Sequence, residues 1–434
     1  MPDDVSSILQ QVAAVVSACD FQQGFSLLHP VLRFPSELDD SQLAQGLEAL
    51  ADISTGLGGD KLARALKPAS EDPGDARKLY DAGFECIEEG LSGIAATLLA
   101  RANVSHPNQP GILAELSSAL EGEMLYAEAA DFIESASPSV LDDPLCCYLL
   151  AFDSLMCGRI ERFLEMTQRL RPNGDENIEF MKARLERVAG RIDALQPITR
   201  LDSRDLRGWH FALQGALLTH VASAGFEEGM TGRYAWLQDS YTLCRQGLQH
   251  LQEALAAIEF RPTRVVALGD RSSRILATAA AKLLNLPLHD WAEHPQGDEL
   301  VVAYDLAQGP DDQVAALRAV QPGRLVFAHA SVWTSVLPFV ADITTLLYQS
   351  NVAPWDGGLR SGEGGGVEKT PPDESPEAEL ADKLLGTSFE PDNAVPFAQV
   401  TDLIRAGWGL SSFANGAQRE RYFPGGPVPS SRFL

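Results

Sequence analysis

The residues best suited to chemistry lie in two short loops, each following an apolar run of strand length. Gly269-Asp270-Arg271-Ser272-Ser273-Arg274 sets a glycine, two hydroxyls and two guanidinium groups at the start of an Ala-rich helical run. Free amides at a helix start and planar guanidinium forks can hold a phosphate or carboxylate. The same residues also suit a quieter role, in which Asp270 or Ser272 caps the helix and the arginines pair with surface acids. The loop has neither the G-x-G-x-x-G spacing of dinucleotide sites nor a Walker lysine. The second loop, Tyr304-Asp305-Leu306-Ala307-Gln308-Gly309-Pro310-Asp311-Asp312, argues against phosphate. Pro310 has no amide proton, and Asp311 and Asp312 place carboxylates in the first helical turn, where the helix dipole favours each by roughly 0.3–1 kcal/mol. His289, Asp290, Glu293 and His294 have metal-ligand types, but their spacing suits neither a helix nor a strand, so no metal is expected there. Neither H-E-x-x-H nor G-x-S-x-G occurs, which leaves zinc hydrolysis and serine nucleophilic catalysis without support.

Those loops need a sheet to present them. Val265 to Leu268, Leu300 to Asp305 and Arg324 to Ala328 alternate with helical runs, the pattern of a mainly parallel, Rossmann-like α/β sheet with flanking helices and a site at its strand ends. Before it, Trp236, Tyr241, Cys244, Leu248, Leu251, Leu255 and Ile258 recur near helical spacing and predict one long amphipathic helix packed on the sheet. Trp209, His210 and His220 are expected on a preceding helix, with a turn from Gly225 to Gly232. After the sheet, Val332 to Leu347 reads as a helix kinked by Pro338. Pro354 to about Glu379, rich in Gly and Pro among acids, reads as a flexible linker or lid. The tail carries a short helix, Ala398 to Arg405, and then coil whose Trp408, Phe413, Tyr422, Phe423 and Phe433 should dock on the body of the protein.

The first part of the chain is helical throughout and repeats. Three units begin at Ala76, Pro110 and Pro144, a constant spacing of 34 residues. In the first, Leu79, Ala82, Gly83, Cys86, Gly90, Ala95, Leu99, Ala102 and Pro107 give the order of apolar, small, turn and breaker residues that resembles a tetratricopeptide repeat. The second departs with Met124 in place of the turn glycine, and the third with Cys147 and Thr167 in place of large apolar residues. With two earlier irregular units, the resemblance implies an α-solenoid of helix pairs with a concave groove, because no pair can bury its apolar face alone. Such a solenoid would take an extended peptide or a partner helix, or serve as a spacer or dimerisation arm in a homodimer. Glu88, Glu89, Glu121, Glu123, Glu128 and Asp131 disfavour a carboxylate clamp and favour a basic or apolar peptide.

The α/β block resembles the core of type I phosphoribosyltransferases over about 70 residues. The quoted signs are Val265 to Asp270 leading into Ile275-Leu-Ala-Thr-Ala-Ala-Ala-Lys-Leu-Leu-Asn-Leu-Pro287, and Val301 to Asp312 in the place of the acidic strand end and phosphate loop. What matches there is Asp305, with Gly309. The paired acids that the family uses for ribose and magnesium are reduced to Tyr304 and Asp305, so the resemblance implies a pseudo-enzyme.

Composition narrows the partners. Of 434 residues 45% are hydrophobic, enough for two or three cores, and the net charge of −26 repels phosphate backbones and anionic lipid, so neither nucleic acid nor membrane is expected as a partner. Six cysteines without C-x-x-C spacing read as reduced, mostly buried thiols, and the acidic N-terminus reads as cytoplasmic. The expected order is a helical-repeat domain over 1–200, a helical lead-in with the α/β domain over 201–350, an acidic Gly/Pro-rich loop over 351–395 and a docked tail over 396–434. The expected function is a non-catalytic peptide- or protein-binding scaffold without a cofactor. The alternative is a nucleotide or sugar-phosphate enzyme using Gly269, Asp270, Arg271, Ser272, Ser273, Arg274, Tyr304, Asp305 and Gly309, with magnesium needed only in that case.

Overall fold

The computed structural model describes residues 5–223, 229–295, 297–361, 367–388, 394–422 and 424–430. The chain divides into two compact units, one up to Leu185 and one from Glu186 onward. The first is built of helix pairs: α1 (Val5–Ser17) with α2 (Phe21–Leu32), α3 (Asp40–Gly56) with α4 (Asp60–Glu71), α5 (Ala76–Glu88) with α6 (Ser92–Ser105), α7 (Pro110–Gly122) with α8 (Tyr126–Glu134), and α9 (Pro144–Met156) with α10 (Ile160–Arg169). Helix α11 (Glu176–Leu195) carries the chain across the division.

The repeat is visible in how each pair starts and turns. Helices α5, α7 and α9 begin at the three residues that the period marks. Asp75 and Asp143 cap two of them, accepting from Arg77 N at 2.9 Å and Cys146 N at 3.0 Å. Pro110 and Pro144 stand in first turns, where a missing amide proton is harmless. Gly83 lets the pair close, since a Cβ there would lie 2.8 Å from Leu99 Cγ. Its successors at the repeat spacing are Ser117 and Ala151, both buried.

Each pair turns through one left-handed residue: Gly90 at φ 75°, Met124 at φ 58° and Gly158 at φ 81°. Methionine there crowds its Cβ against the following carbonyl, at a cost of roughly 1–2 kcal/mol. Met124→Gly should therefore stabilise the first unit by about 0.5–1 kcal/mol, part of the strain relief being offset by the freer unfolded chain. A urea midpoint that rises at unchanged slope would show it; a lower midpoint would refute it. Glu121, expected in the groove, instead turns inward toward Asp153 of α9.

The second unit opens with α12 (Leu206–Gln214) and is organised on a sheet of seven parallel strands: β1 (Leu217–Leu218), β2 (Tyr234–Gln238), β3 (Arg264–Ala267), β4 (Leu288–Asp290), β5 (Glu299–Asp305), β6 (Arg324–Val332) and β7 (Ile343–Val352). Their order is β1-β7-β6-β5-β3-β4, and β2 pairs with β7 beyond β1. Between β3 and β5 the chain changes direction across the sheet, placing β4 on one side and β6 and β7 on the other. Every residue of β5 is buried, which is why these strands read as continuous apolar runs and not as alternating ones. Helices α13 (Tyr241–Ala257) and α14 (Arg271–Leu284) pack on the sheet. The opposite core gathers Val266, Val301, Val326, Ala328 and Phe339 with Leu306 and with Val314 of α15 (Asp311–Ala316).

Three expected helical assignments fail. Trp236 does not begin the long helix but lies on β2, 51% exposed. The step of five from Trp236 to Tyr241 was the interval that did not fit a 3.6-residue turn. His220 lies after β1, where its Nε2 stands 2.9 Å from the Tyr234 hydroxyl, and not on α12 with Trp209 and His210. Val332 to Leu347 is no helix: β6 runs to Val332, Pro338 sits in the connection, and β7 begins at Ile343. The run Ile343-Thr-Thr-Leu-Leu-Tyr348 has strand composition, and the buried sheet decides in its favour.

The segment expected as a flexible loop holds an antiparallel hairpin, β8 (Gly358–Ser361) with β9 (Val367–Thr370), and then α16 (Glu377–Leu385). The glycines at 362 and 364–366, residues 225–228 of the expected turn, Phe423 and Phe433 lie outside the described residues. The tail forms α17 (Ala398–Gly407) and α18 (Ser412–Asn415), then bridges to Ala319 through Gln418 and to Leu337 through Tyr422. Among the described residues no helix is long and apolar enough to cross a membrane.

Candidate functional site

The change of direction between β3 and β5 brings the two loops singled out in the sequence to the same sheet edge, where ligands of open α/β sheets are generally held. Both glycines sit where a side chain would crowd its neighbours. A Cβ at Gly269 would lie 3.1 Å from Pro310 Cγ, and one at Gly309 would lie 2.9 Å from Val314 Cγ2.

The polar groups gathered there point at the chain's own atoms. Asp270 caps α14 by accepting from Ser273 N at 2.8 Å, so an amide that could face an anion is taken. Gly269 N donates to Gln313 Oε1 at 3.0 Å. Ser272 Oγ accepts from Trp355 Nε1 at 2.9 Å, and Ser273 Oγ accepts from Tyr304 N at 2.9 Å. Arg271 donates to the Asp373 carbonyl at 2.6 Å and to the Ser375 carbonyl at 3.2 Å. Arg274 pairs with Asp290 at 2.9 Å and Glu377 at 3.1 Å, and the hydrogen bonds to these carboxylates hold its guanidinium above the ordinary value.

Asp305 is fully buried and accepts from Ala307 N at 2.9 Å and from the Tyr348 hydroxyl. Burial pushes its carboxyl above the usual range, against these two hydrogen bonds. Asp290 of the His289–His294 stretch is exposed and engaged with Arg274, and Asp311 and Asp312 stand in the first turn of α15.

A second cluster, not anticipated as a site, lies beneath this edge. The register sets Ala303 and Asp305 opposite Ala328 and Ala330, and Ala328 and Ala330 opposite Thr344 and Leu346. Tyr304, His329 and Thr345 therefore stand side by side on one face of three adjacent strands, the face that α13 covers. From the start of α13 come Asp239 and Cys244. The Tyr304 hydroxyl donates to Asp239 Oδ2 at 2.7 Å, His329 Nε2 lies 3.1 Å from the same oxygen, and Cys244 Sγ lies 3.4 Å from it. Asn351 donates to the Tyr304 oxygen at 3.0 Å.

Asp239, Cys244, Tyr304 and His329 are all buried. Burial, then the Asp239 carboxylate, holds the Cys244 thiol well above its ordinary value, and burial does the same to the Tyr304 phenol. Cys244 had been absorbed into the apolar stripe of its helix. The signal available for this cluster was His329 itself, an imidazole in the middle of the apolar strand Leu325-Val-Phe-Ala-His-Ala. Of the residues named in advance, Tyr304 alone belongs to both clusters.

Neither a scan against models of known protein families nor a search of the curated proteins finds a match for the chain.

Proposed function

We propose that the chain is a non-catalytic scaffold that binds a peptide or protein through its helical unit, and that its α/β unit keeps an enzyme-like frame without the corresponding activity. The observation that carries this reading is the engagement of Arg271 with the backbone carbonyls of Asp373 and Ser375. Arg271 Nη2 is turned onto two carbonyls of the chain at the strand ends, and the Ser273 amide that could meet an anion there is spent on Asp270.

The helical unit supplies the recognition surface. A groove of ≈ 650 Å³ is lined by residues that include Arg77, Tyr80, His106, Gln109 and Ile112. Arg77, Tyr80 and Phe84 follow one another by three and four residues on α5, so they share a face, and Phe84 is 40% exposed. The neighbouring helix presents Gly111 and Ser118, small and exposed, which lets a chain lie close. An extended peptide with apolar or basic side chains fits this mixture of aromatic surface and the acids of α5.

The test joins calorimetry to a peptide array. Nucleotides and phosphoribosyl pyrophosphate with magnesium should give no heat. Peptides selected from an array of basic and apolar sequences should bind, and the pair Tyr80→Ala and Phe84→Ala should weaken them about tenfold or more, a loss of about 1.4 kcal/mol. Binding of a sugar phosphate that disappears in Arg271→Ala would overturn the reading.

A further inference from the structure

The buried cluster under the sheet edge has the form of a metal site. We propose that Asp239, Cys244 and His329 hold a single divalent cation of the zinc type, a structural ion that ties the start of α13 to the middle of β6. Ligands bound to zinc at about 2.0–2.3 Å in a tetrahedron stand roughly 3.3–3.6 Å from one another. The three edges here are 3.1 Å from His329 Nε2 to Asp239 Oδ2, 3.4 Å from Cys244 Sγ to that oxygen, and 3.6 Å from Cys244 Sγ to His329 Nε2. One nitrogen, one sulfur and one oxygen make a set for a borderline cation and exclude calcium and magnesium, which take oxygen. The Tyr304 hydroxyl, steadied from its other side by Asn351, donates to the same carboxylate oxygen at 2.7 Å and so orients Asp239 from outside the ligand set.

A second observation points the same way. His329 Nδ1 and Thr345 Oγ1 are buried and have no hydrogen-bond partner among the described residues. Both flank one point on α13, lying 2.7 Å and 2.8 Å from where a Cβ at Gly247 would stand. Bare polar atoms in a core are costly. An imidazole that gives Nε2 to a cation carries its proton on Nδ1, on the side where the Thr345 oxygen is an unused acceptor. Loading breaks the Cys244 S–H bond, forms a metal–sulfur bond and releases one proton to solvent. Because all three ligands are buried, the ion enters as the chain folds.

The chain made in cobalt-supplemented medium should carry a single cobalt ion and show thiolate-to-cobalt charge-transfer absorption in the near ultraviolet. Cys244→Ser should abolish that band, whereas Cys86→Ser and Cys146→Ser, which alter thiols of the helical unit, should keep it. Wild-type protein without the band overturns the proposal, and so does a band that survives Cys244→Ser. If Cys244→Ser does not fold, Asp239→Asn decides: a shifted or weakened band supports the site, and a spectrum identical to wild type removes Asp239 from it and overturns the triad.

Discussion

Replacing Arg419 by methionine is expected to lower the stability of the α/β unit by about 3–5 kcal/mol, the range for breaking one partner out of a buried ion pair. Arg419 is 2% exposed and sits in the C-terminal tail. A guanidinium has five N–H donors, and all of them are used. Nε donates to Asp342 Oδ1 at 2.9 Å and Nη2 to Asp342 Oδ2 at 2.7 Å. The other bonds go to the carbonyls of Leu317 at 2.6 Å, Ala319 at 3.2 Å and Arg324 at 2.9 Å. One side chain thus joins the tail to the start of β6 and to the loop before β7. Methionine fills much of the volume but leaves the Asp342 carboxylate buried with a single donor, Val326 N at 2.8 Å.

The second substitution Asp342→Leu, added to Arg419→Met, should recover part of the loss, because an apolar pair of similar size removes the unpaired charge. Recovery would be incomplete, since Val326 N then loses its acceptor. All six tryptophans, from Trp209 to Trp408, lie in the second unit, so urea unfolding followed by tryptophan fluorescence reports on that unit alone. A loss below about 1 kcal/mol in Arg419→Met would mean that the five bonds are replaced by water and the tail does not hold the sheet.

In the helical repeats local rules and tertiary structure agree. The starts at Ala76, Pro110 and Pro144 and the turns at Gly90, Met124 and Gly158 follow from a period that each helix pair obeys by itself. The strands β3, β5 and β6 were legible because burial on both faces leaves an unbroken apolar run. Strand β7 was not, since Ile343 to Tyr348 satisfies the composition of a strand and the length of a helix alike, and its pairing with β6 decides.

The two loops that carry the candidate residues follow neighbouring parallel strands, β3 and β5, and the sheet brings them together. The cap at Asp270 and the pairing of Arg274 with an acid match the quieter role stated for this loop, but most of the partners were not legible, because Asp373, Ser375 and Glu377 lie about a hundred positions later. No periodicity in sequence connects such segments. The Asp239, Cys244 and His329 cluster was hidden for the same reason, its members being spread over ninety residues and each plausible alone as an ordinary core or capping residue.

Asp153→Asn is expected to flatten the fall in stability of the helical unit with rising pH. Asp153 of α9 is fully buried, accepts from Ser117 Oγ at 2.7 Å and faces Glu121 of α7. Burial, then the charge of Glu121, pushes Asp153 up to about 9, and burial, against hydrogen bonds with Asp153 and Ser117, pushes Glu121 up to about 7. In the unfolded chain both titrate near about 4. Between these values the folded state holds protons that the unfolded state has released, so stability is complete below about pH 4 and declines as pH rises, by at most about 1.4 kcal/mol per pH unit for each retained proton. Asparagine keeps the shape and the oxygen that Ser117 needs, and it offers Glu121 an amide donor in place of a competing acid. Between pH 7 and 9 the slope should therefore fall by about half or more, while at pH 5 the variant should stay within about 1 kcal/mol of wild type. Since the helical unit contains no tryptophan, its unfolding is followed by far-ultraviolet circular dichroism. An unchanged slope in Asp153→Asn would place the titrating group elsewhere, and a slope of opposite sign in wild type would mean that the pair is ionised in the folded chain.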